Sequence, residues 1–198
     1  ASSYPALYPK KLVNIAIFGG SFNPAHLGHI YISKETLKRF PVNEIWWLLT
    51  PHNPFKSQND LLPLQLRYQH ADKLIKENNL LNKIKLIDFE SAYNNPCYFY
   101  KTLNHLTKIM PNVNFSMIMG ADNLVTLHKW ENYQQIIQKV DLIVFDRGNF
   151  KYPALASKAY NFSKHNIKTK KIYYMHIKKY NISATDIRKK GAPQSLIL

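Results

Sequence analysis

One stretch near the amino terminus constrains the fold more than any other: Ile15-Ala16-Ile17-Phe18-Gly19-Gly20-Ser21-Phe22-Asn23-Pro24-Ala25-His26-Leu27-Gly28-His29. The apolar run reads as a buried strand. Gly19 and Gly20 read as a sharp exit from it, and Pro24 stands where a helix is about to start. On that helix His26 and His29 are three apart and share a face. They fall in the first turn, where unpaired N–H groups and the helix dipole favour an anion. Gly28 puts no side chain between the two rings, so a phosphate can approach closely. Strand, glycine turn, helix start and paired imidazoles together describe a phosphate-handling site.

The remaining chain alternates strand and helix patterns. Strands are expected over 13–18, 44–50, 83–89, 114–119, 141–145 and 171–177. Helices are expected from His26 to about Arg39, Leu64 to about Asn78 and Phe99 to about Ile109, with two short stretches flanking Trp130 and a short one from Thr185. The apolar sides are Ile30, Leu37 and Phe40 in the first helix, and Leu66, Ala71, Leu74 and Ile75 in the second. This alternation indicates an α/β fold: a doubly wound, Rossmann-like parallel sheet with helices on both faces. Ligands of such sheets bind beyond the carboxyl ends of the strands. The notable residues obey that rule: the Gly-Gly/His pair follows strand one, Pro51-His52-Asn53-Pro54-Phe55-Lys56 strand two, Gly120-Ala121-Asp122 strand four and Asp146-Arg147-Gly148 strand five.

Composition removes several classes. The single cysteine, Cys97, forbids an internal disulfide and suits a reducing, cytoplasmic location. No signal-peptide pattern is visible, and the most apolar segment, Ile45 to Leu49, is too short to cross a bilayer. The formal net charge of +15 suggests either a polyanionic partner or a base-composition bias. The excess is lysine, accompanied by many asparagines, isoleucines and tyrosines that share AT-rich codons, which favours the second explanation. The arginines Arg39, Arg67, Arg147 and Arg188 are therefore more informative than the lysines. A nucleic-acid-binding module would need basic residues and exposed aromatics on one face, and here the aromatics fall mostly in strands and apolar helix faces.

Several patterns carry two readings. The i, i+3 histidines lack the glutamate and spacing of a zinc protease, and neither GxGxxG nor GxxxxGK[ST] occurs. Ile182-Ser183-Ala184-Thr185-Asp186-Ile187-Arg188 is either a capped helix offering Arg188 to phosphate or a solvated basic helix. Asp122 either accepts a sugar hydroxyl or caps a helix, and Trp130 is either a ligand platform or core.

Taken together, the segments GGSFNPAHLGH (19–29), PHNPFK (51–56), CYFYKTL (97–103), MGADNLVTLHKWENY (119–133), VFDRG (144–148) and ISATDIR (182–188) resemble the nucleotidylyltransferase superfamily, and within it a nicotinate/nicotinamide mononucleotide adenylyltransferase. The resemblance spans nearly the whole chain. It implies one nucleotidylyltransferase domain over 1–198 with a C-terminal phosphate-binding segment at 178–198, while Pro5, Pro9 and the lack of any period make 1–12 read as a loose leader. It implies adenylyl transfer from ATP to nicotinate mononucleotide, with Mg²⁺ bound mainly through ATP phosphates and water and no dedicated metal ligand. His26, His29 and Arg188 are the implied catalytic residues. Gly19, Gly20, Ser21, Phe22, Lys56, Gly120, Asp122, Ser183 and Thr185 would hold ATP, and Tyr98, Trp130 and Arg147 the mononucleotide. The implied partners are small molecules, with no nucleic acid or membrane; a homo-oligomer is left open.

Three positions depart from the family pattern. Ala184 replaces a common serine, Phe99 replaces a hydroxyl residue near the pyridine pocket, and the usual proline after Arg147 is missing. The alternatives are the same reaction on nicotinamide mononucleotide, and a phosphopantetheine adenylyltransferase or cytidylyltransferase, which has no need of Trp130 and Tyr98.

Overall fold

The computed structural model describes residues 12–50, 61–88, 99–146 and 148–177. Six strands form one sheet: β1 (Val13–Gly20), β2 (Glu44–Leu49), β3 (Ile84–Ile87), β4 (Val113–Gly120), β5 (Asp141–Asp146) and β6 (Ile172–His176). Their order is β3-β2-β1-β4-β5-β6, and every pairing is parallel. This is a doubly wound, Rossmann-like sheet, with the order reversing between β1 and β4. The helices are α1 (Leu27–Arg39), α2 (Leu64–Glu77), α3 (Phe99–Ile109), α4 (Ala121–Thr126), α5 (Tyr133–Lys139), α6 (Lys151–Leu155) and α7 (Lys158–His165), with a 3₁₀ turn at Leu127–Lys129.

Both faces of the sheet are apolar because the central strands are apolar at successive positions. Ile15, Ile17, Trp46, Leu48, Met117 and Val144 face α3 to α7. Ala16, Phe18, Ile45, Trp47, Leu49 and Ile118 face α1 and α2. The side chains alternate between faces along each strand, as the pleat requires.

Four local outcomes differ from the sequence reading. First, β1 continues through both glycines, which pair with Leu48 and Leu49 of β2. The exit comes later, at Phe22, whose φ is +44°. Second, α1 begins at Leu27, so His26 is its N-cap and not its first turn. Third, the inner side of α1 includes Ile32, Ser33 and Thr36, while Leu37 is only half-buried. Ser33 can be buried because it accepts the Trp47 indole N–H at 2.9 Å. Fourth, α6 and α7 occupy a stretch to which the sequence reading assigns no element. Pro153 disguises α6, but in a first turn its missing N–H leaves no bond unmade. The helix expected from Thr185 lies outside the described residues.

Candidate active site

The crevice at the carboxyl ends of β1 and β4 is walled by two different segments. On the α1 side the chain leaves β1 through Ser21 and Phe22 and reaches the two histidines. The His26 ring Nδ1 accepts the Gly28 N–H at 3.0 Å. The His29 ring Nδ1 accepts the His26 N–H at 3.1 Å. The pair thus builds a reciprocal capping box from imidazoles, in place of the usual hydroxyl and carboxylate. With Nδ1 accepting in each neutral ring, the proton sits on Nε2, so Nε2–H is the donor of both histidines. The ring centroids are 4.0 Å apart.

His29 is held by aromatic neighbours. Its ring lies 4.6 Å from Phe22, 5.7 Å from Phe18 and 5.9 Å from Trp47. Phe22 in turn stacks on Trp47 at 4.9 Å and 22°. These contacts fix the imidazole direction without using its ring nitrogens. Gly19 leaves room beside them: among the described residues, a Cβ added there would meet no atom within 4 Å. At Gly20 the added Cβ would only touch the Phe22 ring, at 3.4 Å.

On the opposite face, Gly120 ends β4 and is the N-cap of α4, with Asp122 in the first turn. The reading of Asp122 as a cap is thereby excluded. Its carboxylate folds back over Gly120: a Cβ at Gly120 would lie 2.2 Å from Asp122 Oδ1. Glycine is required at 120 if the carboxylate is to stay there. Trp130 follows the 3₁₀ turn, half-buried against the core cluster of that face. Its ring meets Phe99, the first residue of α3, edge-on at 6.4 Å and 72°. Phe99 therefore buttresses Trp130 where a hydroxyl residue was the family expectation. The structure thus places His26, His29, Gly19, Gly20, Ser21 and Phe22 on one side of the β1–β4 strand ends and Gly120 and Asp122 on the other, with Trp130 packed against the core of that second face. Lys56, Tyr98, Arg147, Ser183, Thr185 and Arg188 lie outside the described residues.

A third feature sits at the end of β5. Asp146 is only 2% exposed and accepts the N–H groups of Gly148 at 3.0 Å and Phe150 at 3.3 Å. Burial alone would raise its carboxyl pKa. The Tyr174 hydroxyl, which faces it without full hydrogen-bond geometry, the two N–H donors and neighbouring His176 outweigh that and hold it below the usual value. The Tyr174 hydroxyl is pushed up by burial and by the Asp146 carboxylate. Gly148, at φ +106°, needs glycine for the turn that Asp146 ties.

Sequence reasoning left two supports of the site without a role. Trp47 reads as an ordinary strand residue, yet its ring underlies Phe22. Arg67 is singled out only as one of four informative arginines, and it is buried beneath the β1 exit. The signal available for Arg67 was its rarity in a lysine-rich chain.

The cytidylyltransferase-like family profile matches residues 17–190. A Pelagibacter ubique protein named "Probable nicotinate-nucleotide adenylyltransferase" is 36% identical over 182 residues, covering 91% of this chain and 94% of that relative. A Ruegeria protein of the same name is 32% identical over 192 residues, covering 91% of this chain and 98% of the relative. Among solved structures, Plasmodium falciparum nicotinic acid mononucleotide adenylyltransferase complexed with NaAD superposes with a TM-score of 0.71 at 26% identity, covering 89% of this chain and 83% of that one. The chain belongs to the cytidylyltransferase-like family and, within it, to the nicotinate-nucleotide adenylyltransferases.

Proposed function

We propose that this chain transfers the adenylyl group of ATP to nicotinate mononucleotide, releasing pyrophosphate and forming nicotinate adenine dinucleotide for NAD biosynthesis. The observation that carries this reading is the two-walled crevice at the sheet's switch point, with imidazole N–H donors on one wall and the Gly120–Trp130 segment on the other. An oxygen of the mononucleotide 5′-phosphate attacks the ATP α-phosphorus in line. The bond from that phosphorus to the bridging oxygen breaks, and pyrophosphate leaves with the electron pair. No covalent enzyme intermediate is involved, so the protein contributes positioning and charge stabilisation. His29 donates from Nε2 to the phosphate oxygens where charge builds, and His26 holds the same phosphates from the helix cap. Asp122 accepts hydroxyls of the adenosine ribose, and Trp130 stacks on the pyridine ring. Lys56, Ser183, Thr185 and Arg188 complete the polyphosphate site by their match to the family motifs, as Tyr98 and Arg147 complete the mononucleotide site.

Mg²⁺ fits this donor set as a companion of ATP. Imidazole and backbone N–H groups suit the phosphate oxygens and not the metal, which leaves the ion to ATP. Such an ion would accompany the ATP phosphates and would supply neutralisation of their charge.

Selectivity for the acid is expected from helix starts near the pocket, whose N–H groups favour a carboxylate. Pyrophosphate release, measured with ATP, Mg²⁺ and each pyridine mononucleotide in turn, tests the reading. The expected preference for nicotinate mononucleotide is at least about tenfold in kcat/KM, or about 1.4 kcal/mol. Equal or better use of nicotinamide mononucleotide overturns the selectivity, and no turnover with either overturns the function.

A further inference from the structure

Arg67 lies in the first turn of α2 and is 1% exposed. Its guanidinium gathers three backbone carbonyls from three separate segments. Nη1 donates to Ser21 O at 2.7 Å, in the β1 exit, and to Thr50 O at 2.8 Å, just past β2. Nε donates to Leu62 O at 2.9 Å, in the lead-in to α2. The same lead-in is tied to the exit a second time, because the Leu62 N–H donates to Asn23 Oδ1 at 3.0 Å.

The three carbonyls are not equivalent. Thr50 and Leu62 each precede a proline, so the far side of each peptide plane has no N–H. Ser21 precedes Phe22, and its peptide bond is trans. In a trans peptide the carbonyl and the following N–H point in opposite directions. Drawing Ser21 O towards the guanidinium therefore turns the Phe22 N–H away from it. Phe22 also holds a left-handed backbone, φ +44°, that a side chain of its size rarely adopts, so something outside the turn must fix it. The Phe22 ring, one residue from that hydrogen bond, is among the aromatic rings that pack on His29.

We propose that Arg67 is a positioning residue for adenylyl transfer: by clamping Ser21 O it sets the Phe22 peptide plane for the phosphates and the Phe22 ring for His29. The proposal rests on the adenylyl-transfer reading above. A planar fork is required because one group must donate in several fixed directions at once; a lysine ammonium keeps the charge but not the plane. Burial lowers the pKa of this guanidinium and nearby Asp88 opposes that, but an arginine remains charged at neutral pH.

The experiment measures kcat, KM for each substrate and thermal stability for the wild-type chain and for Arg67→Lys, Arg67→Gln and Arg67→Ala. All assays run well below each variant's melting temperature. The expected result for the folded variants is a kcat at least tenfold lower with KM for the mononucleotide within about threefold. In Arg67→Ala, millimolar guanidinium restores several-fold of the lost kcat while equal urea does not. Folded variants with wild-type kcat overturn the role of Arg67 while leaving the function intact. Failure of all three to fold marks Arg67 as a fold anchor and also overturns it. A wild-type chain that releases no pyrophosphate with either mononucleotide overturns the function first, and the proposal with it.

Discussion

At the scale of single residues, the capping box gives His26 two duties that can be separated. Its ring stabilises α1, and it lies against the ring of His29. Loss of an N-cap side chain costs about 1 kcal/mol, or about 2–4 °C in a chain of this length. His26→Ala should show that loss together with weaker ATP binding and turnover. His26→Asn should recover the melting temperature, since asparagine caps well, but not the turnover. Recovery of both would mean the imidazole serves only the fold. Gly120 offers the converse test. The atom that a new Cβ would strike is the movable end of Asp122, so Gly120→Ala should cost little stability. It should nevertheless displace the carboxylate and raise KM for ATP several-fold, about 1 kcal/mol of binding. An unchanged KM would detach Asp122 from the ribose.

At the scale of elements, the turn after β5 depends on a buried carboxylate and therefore on pH. Asp146 has its pKa lowered in the folded chain, so the folded state binds its proton less readily than the unfolded one. Its stabilising contribution is complete above the unfolded value of about 3.9 and is lost as pH falls through the lower folded value. The melting-temperature gap between wild type and Asp146→Asn should be present near neutral pH and narrow below about pH 4. A gap that instead widened in acid would show the carboxyl to be raised by burial. Elements were also what the sequence displayed best. The six strands and three long helices stand near their expected places because apolar runs of strand length and 3.6-residue periodicity survive in the sequence. What escaped had local reasons. Pro153 hid a short helix by standing in its first turn. The glycines of β1 looked like the exit because their freedom is visible in sequence, whereas the strained residue is Phe22, held by a side chain 45 positions away. Trp47 and Arg67 were illegible as parts of the site because their roles arise only when β2 and α2 pack behind the β1 exit.

At the scale of the whole molecule, the strand order does what the net charge cannot. The +15 charge is spread through the chain, and distant charges are screened beyond about 8 Å at physiological salt. The reversal between β1 and β4, by contrast, opens one crevice and sends α1 and α4 to opposite faces of the sheet around it. Among the described residues no helix is long and apolar enough to cross a membrane. The central claim is that this crevice performs adenylyl transfer, with the His29 imidazole stabilising the charge that builds. The most direct measurement compares nicotinate adenine dinucleotide formation by wild type and His29→Ala at saturating ATP and nicotinate mononucleotide, with circular dichroism confirming that both are folded. The account predicts robust formation by the wild type and a kcat lower by about two orders of magnitude or more in the variant. A folded His29→Ala chain with the wild-type kcat would contradict it.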